Sequence, residues 1–294
     1  MKKPNGWQDL KRMAKLSIRD CLKQAEARLK HIENPNTSAL ILMAHVLNMP
    51  KTWLLAHPEN TLDECQKEVF LGLVSRLSDG EPLPYLTGTQ SFYGLDFKVS
   101  PAALIPRPET ELLVEEALSW LSKNPEAQTA LDVGTGSGCI AISLLKNNES
   151  IKITALDISN ETLKIASENA KSHQVSHCLD LVHSNLLSQF NGQASLICAN
   201  LPYIPSQTLQ TLAVTKWEPA LALDGGADGL KLIRDLLSQS QKVLKAPGLI
   251  LLEIEESTGE KALEAAKQAY PQASIALLRD LAGKNRLIRI EVPA

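Results

Sequence analysis

The residues best suited to chemistry stand together at positions 200–203, Asn-Leu-Pro-Tyr, directly after the apolar run SLICA. A turn after a strand needs only Asn and Pro, so the tyrosine requires another reason. The Asn200 side-chain oxygen and a backbone carbonyl of this motif can accept both hydrogens of a planar NH2 group, which favours electron density on its nitrogen. Pro202 stiffens the turn, and Tyr203 offers a flat surface that orients the planar group. The motif therefore predicts transfer of a chemical group to the nitrogen of an amide or ring amine. The alternative is that these residues only form the turn that ends the strand.

A glycine-rich loop supplies a second candidate site. It comprises Gly134, Thr135, Gly136, Ser137 and Gly138, between a strand-like and a helix-like run. Its glycines allow a sharp turn and the close approach of a ligand.

The acid that follows this loop indicates which kind of ligand the loop binds. Asp157 ends the next strand, 25 residues after Asp132, where a carboxylate can accept both ribose hydroxyl protons. The spacing Gly-x-Gly-x-Gly differs from the Gly-x-Gly-x-x-Gly of dinucleotide sites. A loop with no phosphate to cradle suits S-adenosylmethionine better than NAD. Asn185, at the end of the third strand, is then placed to bond the adenine edge, and Leu186 to pack on the ring.

Strand-like and helix-like segments alternate from about residue 109 onward. The predicted strands are 129–134, 152–158, 179–185, 195–200, 249–255 and 286–292. Near-continuous apolar strands separated by helices predict a parallel sheet covered on both faces. Ligands bind such sheets at the carboxyl ends of strands where the strand order changes. The fourth strand is therefore expected beside the first, so that Asn200 to Tyr203 face the glycine loop.

The first part of the chain has a different character. Residues 1–85 carry apolar positions at three- and four-residue spacing and predict helices only. SFYGLDFKVS, at 91–100, predicts a hairpin around Gly94. We thus expect a helical domain at 1–85, a hairpin and linker at 86–108 and a catalytic domain at 109–294. The first 30 residues hold nine Lys and Arg against three acids, which predicts a solvated amphipathic helix, with contact to RNA or an acidic partner as the alternative.

Composition restricts the class of protein and the cellular environment expected for this chain. The 294 residues are 44% hydrophobic and 21% charged, with a formal net charge of −3, which is ordinary for a globular protein. No apolar run approaches a membrane span, and no signal peptide is recognisable. Five cysteines without paired spacing favour a reducing, cytoplasmic environment. Because His173, His177, Cys178 and His183 straddle a predicted helix end, loop and strand, no metal site is predicted.

Longer motifs point to a family. The chain resembles the PrmC/HemK family, the glutamine N5-methyltransferases that modify peptide chain release factors. The resemblance covers nearly the whole chain and rests on the segments LAHPE (55–59), EPLPYLTG (81–88), LIPRPETE (104–111), DVGTGSG (132–138), NLPY (200–203), EPALALDGGADGL (218–230) and DLAGKNR (280–286). LIPRPETE and the Asp-Gly-Gly segment are far more specific than a glycine loop.

This resemblance implies both a fold and an activity. The implied fold is a small all-helical substrate-recognition domain followed by a class I S-adenosylmethionine-dependent methyltransferase domain, Rossmann-like, with a seven-stranded, mostly parallel sheet. The implied activity is methylation of the glutamine side-chain amide in the Gly-Gly-Gln motif of release factors, by a monomer that requires no nucleic acid.

The resemblance also implies roles for particular residues. Asn200, which we also expect to touch the cofactor, and the Leu201 carbonyl would receive the substrate amide. Four residues of the LIPRPETE segment would lie near the cofactor and the pocket wall, namely Arg107, Glu109, Thr110 and Glu111. The same stretch also suits a helix N-terminus, with Pro108 in the first turn and acids favourable to the helix dipole.

Three positions depart from the family pattern without removing a proposed chemical group. Leu201 replaces the first proline of the usual Asn-Pro-Pro-Tyr, Asn185 stands where an acid is frequent, and Glu255 stands where glycine is common.

Two other classes of function compete with this interpretation. Asn-Leu-Pro-Tyr also occurs in ribosomal RNA adenine dimethyltransferases, so an RNA or DNA adenine-N6 methyltransferase is the alternative enzyme. Its expected broad basic footprint is absent from this slightly acidic chain. A catalytically silent adenosylmethionine-binding or ribosome-associated protein would show a damaged motif, whereas Asn200, Pro202, Tyr203, Asp157 and all three loop glycines are present.

Overall fold

The structure of the protein is a computed structural model that describes residues 16–293, except the side chains of 213 and 214. The chain divides into two compact units between Thr87 and Gly88. Part of the predicted basic N-terminal helix lies outside the described residues, including the cations Lys2, Lys3, Lys11, Arg12 and Lys15.

The first unit is helical, as predicted. Its helices are α1 (Ile18–Arg28), α2 (Pro35–Leu47), α3 (Lys51–Ala56), α4 (Glu64–Ser78) and α5 (Leu83–Thr87). Local signals in the sequence fix helix starts: the Ser17 side chain accepts a hydrogen bond from the Asp20 N–H, and Asp63 and Gln66 form a capping box. Apolar residues such as Leu42 and Phe70 are fully buried and join the helices in one core.

The second unit opens with the predicted hairpin, formed by β1 (Thr89–Phe92) and β2 (Leu95–Lys98). Tyr93 and Gly94 both have positive φ, as a tight two-residue turn requires.

A seven-stranded sheet forms the centre of the second unit. Its strands are β3 (Thr129–Val133), β4 (Lys152–Asp157), β5 (Leu179–His183), β6 (Ala194–Ala199), β7 (Leu244–Glu253), β8 (Ser274–Arg279) and β9 (Asn285–Val292). Their order is β5-β4-β3-β6-β7-β9-β8, with the first five parallel and β9 antiparallel to both neighbours. The order reverses between β3 and β6, so the fourth strand lies beside the first, as expected.

Helices cover both faces of this sheet. They are α6 (Glu111–Lys123), α7 (Cys139–Asn147), α8 (Asn160–Ser172), α9 (Ser206–Leu209), α10 (Lys231–Ser240) and α11 (Gly259–Ala269). Residues of α6 and α7 form one apolar core with the hairpin phenylalanines, and residues of α10 and α11 form the other. Continuous burial of β6 follows, because both of its faces are covered.

Two strands differ from the sequence prediction. β8 was not predicted, because this edge strand is only partly buried and Ile-Ala-Leu-Leu suits a helix equally well. β7 begins at Leu244, five residues before the predicted start at 249, because it includes Pro247 and Gly248, which normally signal turns.

Candidate active site

The glycine loop joins β3 to α7 and has the backbone that only glycine adopts readily. Gly134, Gly136 and Gly138 have φ values of +74°, +58° and +82°. A Cβ on Gly134 would lie 3.0 Å from Leu201 Cδ2 and 3.6 Å from the Asn200 carbonyl oxygen. The loop therefore packs directly against the tetrapeptide at 200–203.

Asp132 anchors this loop through side-chain hydrogen bonds. It is fully buried, and its Oδ2 accepts hydrogen bonds from Thr135 Oγ1 (2.6 Å) and from the Ala141 N–H (3.2 Å). Burial raises the pKa of Asp132 to about 6, and the two hydrogen bonds oppose that shift. The side chain thus ties the loop to the first turn of α7, a role that the sequence analysis did not assign.

Asp157 stands at the carboxyl end of β4, beside the loop. Its Oδ2 accepts from the Gly136 N–H (3.0 Å) and its Oδ1 from the Ser159 N–H (2.9 Å). Burial raises the pKa of this carboxyl, while hydrogen bonding to Ser159 and Gly136 opposes the rise. Each carboxylate oxygen retains acceptor capacity, so the pair fits the vicinal hydroxyls of a ribose.

A cavity of about 390 Å³ lies above the loop. Twelve of the sixteen predicted site residues line it, namely Arg107, Thr110, Gly134, Thr135, Gly136, Ser137, Asp157, Asn185, Leu186, Asn200, Leu201 and Pro202. Its walls also include the segment 101–106 and the residues Pro219, Leu221 and Ala222, which belong to or border the LIPRPETE and EPALALDGGADGL motifs.

Four predicted residues do not line this cavity. Gly138 lies beneath it as the N-cap of α7. Glu109 is exposed, and the Glu111 carboxylate turns away to accept from the Tyr93 N–H at 2.8 Å. Glu109 lies in the short 3-10 helix Pro108–Thr110 and Glu111 begins α6 directly after it, so both acids stand at a helix start and neither lines the cavity.

Tyr203, the fourth, is half-buried and has Glu253, Arg286 and Arg107 as charged neighbours. Burial raises the pKa of its hydroxyl to about 12, with a further contribution from Glu253 that Arg286 and Arg107 oppose. The phenol therefore stays protonated at neutral pH.

Asn200 is oriented by Thr110. Its Nδ2 donates to Thr110 Oγ1 at 3.1 Å, so the two ends of the amide are distinguished and Oδ1 is directed elsewhere. Thr110 is itself buried, at the end of the 3-10 helix that precedes α6.

The segment after Pro202 is braced by the Asp-Gly-Gly motif. The Ile204 N–H donates to the Leu223 carbonyl (3.0 Å), and the Gly225 N–H donates to the Ile204 carbonyl (2.8 Å). A Cβ would lie 2.7 Å from Tyr203 Cα if added to Gly225, and 2.3 Å from the Tyr203 carbonyl oxygen if added to Gly229. This explains why glycines recur in that motif: the two backbones touch.

An ion pair joins the two motif segments beside the cavity. The Arg107 guanidinium lies 2.5 Å from Glu218 Oε1, and the Glu218 side chain is 3% exposed. Glu218 Oε2 has no hydrogen-bond partner among the described residues.

The described residues form neither a metal site nor a membrane-spanning helix. No group of three or more His, Cys, Asp or Glu in residues 16–293 is arranged to hold a metal ion. His173 and His183 instead bond to the carbonyls of Asp96 and Ile158, each at 2.8 Å. Nor does any helix within that range have the length and apolar character needed to cross a membrane.

Comparison with known proteins gives the family. Residues 20–88 match the PrmC N-terminal domain, and residues 109–217 match the methyltransferase small domain. The release factor glutamine methyltransferase of Moorella thermoacetica is 37% identical over 275 residues, which span 92% of this chain and 97% of that protein. That of Koribacter versatilis is 40% identical over 243 residues, 79% of this chain and 86% of the other.

A solved structure bears on the fold alone. The T. thermophilus 16S rRNA N2 G1207 methyltransferase RsmC, in complex with AdoMet and guanosine, matches with a TM-score of 0.50 and 13% identity. The match covers 69% of this chain and 49% of that one.

The strand order, the glycine loop and the acid at the end of β4 define a class I methyltransferase, whose cofactor is S-adenosylmethionine. With relatives at 37% and 40% identity over most of its length, the chain belongs to the release factor glutamine methyltransferase family.

Proposed function

We propose that this protein methylates the side-chain amide nitrogen of the glutamine in the Gly-Gly-Gln motif of peptide chain release factors, with S-adenosylmethionine as methyl donor. The observation that carries the proposal is the arrangement of Asn200. Its NH2 group is engaged by Thr110, so its oxygen is free to accept from a substrate N–H. It also stands at the reversal of strand order, against the glycine loop.

The cofactor would be held by residues that fit it. Gly134 and Gly136 line the cavity with backbone at positive φ, Asp157 offers acceptors to the ribose hydroxyls, and Leu186 offers an apolar surface to the adenine. S-adenosylmethionine supplies an electrophilic methyl group bonded to a sulfonium sulfur.

The protein's own groups then favour attack by an amide nitrogen. Asn200 Oδ1 and the Leu201 carbonyl accept its two hydrogens, and this interaction strengthens as the nitrogen gains positive charge. Pro202 and Tyr203 hold the turn that presents these acceptors. A planar amide bound in this way has its lone pair directed out of the plane of the two hydrogen bonds.

The helical unit at 1–87 is proposed to bind the body of the release factor while the Gly-Gly-Gln loop of that factor enters the catalytic cavity. We propose further that the enzyme acts as a monomer in the cytoplasm and that it requires no nucleic acid. Five free cysteines, with no disulfide, are consistent with a reducing compartment.

Mass spectrometry of a release factor incubated with the protein and S-adenosylmethionine tests the proposal. We expect one added methyl group on the glutamine of the Gly-Gly-Gln motif. A parallel reaction offers naked ribosomal RNA. Methyl transfer to adenine in the RNA, with none to the release factor, would refute the proposal in favour of adenine methylation.

A further inference from the structure

A buried carboxylate stands behind the proposed catalytic asparagine. Glu253 is the last residue of β7, and the parallel register pairs Ala199 of β6 with Leu252 of β7. Asn200 and Glu253 therefore follow paired residues on neighbouring strands. The residue is 2% exposed, and its Oε2 has no hydrogen-bond partner among the described residues. Burial of a carboxyl group with one oxygen lacking a partner costs free energy, so this position calls for an explanation.

We infer that Glu253 acts through Thr110 as a positioning residue that fixes which end of the Asn200 amide faces the substrate. The inference rests on the proposed function, since it assigns a role within that same site.

The orientation of the Asn200 amide follows from the direction of hydrogen bonds around it. Thr110 is a hydrogen-bonding neighbour of the Glu253 carboxylate. Because an ionised carboxylate only accepts, Thr110 directs its single hydroxyl hydrogen toward Glu253. The threonine oxygen is then left as an acceptor, and it receives Asn200 Nδ2 at 3.1 Å. Asn200 is a second hydrogen-bonding neighbour of Glu253, and an amide can donate to a carboxylate only through its NH2 group. Its oxygen therefore points away from both and toward the cavity.

Protonation of Glu253 would remove this constraint. A protonated carboxyl can donate to Thr110, whose own proton then becomes available to the Asn200 oxygen. The amide can reverse, which places a donor where the substrate N–H needs an acceptor.

The surroundings of Glu253 place this change near neutral pH. Burial raises the pKa of Glu253 to about 7, and hydrogen bonding by Thr110, the positive charge of Arg286 on β9 and hydrogen bonding by Asn200 oppose the rise. The charge of Glu109 adds to the rise in the pKa of Glu253, and the Tyr203 hydroxyl and the Cys139 thiol also interact with this carboxylate.

The test compares Glu253→Gln, Thr110→Val and Thr110→Ser by kcat as a function of pH, with release factor and S-adenosylmethionine saturating. Wild-type kcat should fall as pH decreases through about 7. Glu253→Gln should lose that dependence and turn over at least about tenfold more slowly at pH 8, a smaller loss than the roughly 10²–10³ expected for removing an acceptor that contacts the substrate. Thr110→Val should be impaired similarly, and Thr110→Ser, which keeps the hydroxyl, should recover most of the rate.

Stability separates this role from a structural one. Because the pKa of Glu253 in the folded protein lies above its unfolded value, its ionisation destabilises the fold as pH rises toward 7. Glu253→Gln should therefore melt no lower than wild type at pH 8, and calorimetry should find its affinity for S-adenosylmethionine unchanged.

The inference is overturned if Glu253→Gln keeps the wild-type rate and pH profile. It is equally overturned if kcat falls only together with the melting temperature and cofactor affinity. If wild type methylates no release factor, the proposed function fails instead, so the two failures are distinguishable.

Discussion

The Asn200 side chain directs its NH2 group at Thr110, and we propose that its oxygen accepts from the substrate amide. Asn200→Ala removes that acceptor, which acts most strongly as charge develops on nitrogen, so single-turnover rates should fall by roughly 10²–10³. Cofactor affinity should change much less, because Asp157 and the glycine loop are untouched.

Leu201→Pro is the matched variant at the next position. It restores the commoner family motif, and proline keeps the carbonyl that we assign to the substrate. Asn200 follows directly on β6, so the extended backbone required before proline is available. We expect most of the activity to survive. A folded but inactive Leu201→Pro beside an active Asn200→Ala would refute our division of roles in this motif.

We assign cofactor binding to Asp157, as we assign the reaction to Asn200. Asp157→Ala should weaken S-adenosylmethionine binding by roughly 1.5–3 kcal/mol for each charge-assisted hydrogen bond lost. Calorimetric titration without substrate measures this, and a melting curve checks that loss of the bonds to Gly136 and Ser159 leaves the fold intact. Binding of NAD in place of S-adenosylmethionine would show that the loop is misassigned.

At the scale of elements, the Asp-Gly-Gly motif positions the tetrapeptide through backbone contact. Gly229→Ala places a Cβ against the Tyr203 carbonyl oxygen at 2.3 Å, and Gly225→Ala places one 2.7 Å from Tyr203 Cα. Backbone cannot move aside cheaply, so the turn should shift. A misplacement of about 1 Å near the reacting groups can cost about 10²-fold in rate. We therefore expect kcat to fall at least about tenfold in both variants.

Gly94→Ala separates this contact from simple backbone strain. Gly94 has φ +72°, close to the +77° of Gly229, but a Cβ there meets nothing within 4 Å. This variant should share the strain, about 1–3 kcal/mol of unfolding free energy, yet keep its kcat. Equal kcat for Gly94→Ala and Gly229→Ala would mean that the motif does not position Tyr203.

At the scale of the whole molecule, the chain has two units with separate apolar cores. Deletion of residues 1–87 should therefore leave a catalytic unit that binds S-adenosylmethionine normally. If the helical unit binds the release factor, KM for the intact factor should rise about tenfold or more, each tenfold corresponding to about 1.4 kcal/mol. The kcat for a short Gly-Gly-Gln peptide should be unchanged. An unaltered KM for the intact factor would assign recognition to the catalytic unit alone.

The sequence by itself determined most of the fold, and it predicted the glycine loop and the acid at the end of the next strand. Those features depend on local patterns: buried strands and helices have distinct periodicities, positive φ selects glycine, and an acid at a strand end follows from the fold class. The edge strand Ser274–Arg279 escaped prediction because its partial burial leaves no clear periodicity.

Only the tertiary structure decided what surrounds Asn200. Thr110 and Glu253 are distant from it in sequence. Sheet register sets Glu253 beside Asn200, and the packing of the 3-10 helix Pro108–Thr110 brings Thr110 to the Asn200 side chain. The sequence LLEIEE contains several acids and does not distinguish the buried Glu253 from its exposed neighbour Glu256. Likewise, the Glu111 carboxylate accepts from the backbone N–H of Tyr93 in the hairpin, which is 18 residues away in sequence. Chemistry that depends on one local motif can be predicted from sequence, whereas the direction of a hydrogen-bond network depends on how distant segments pack.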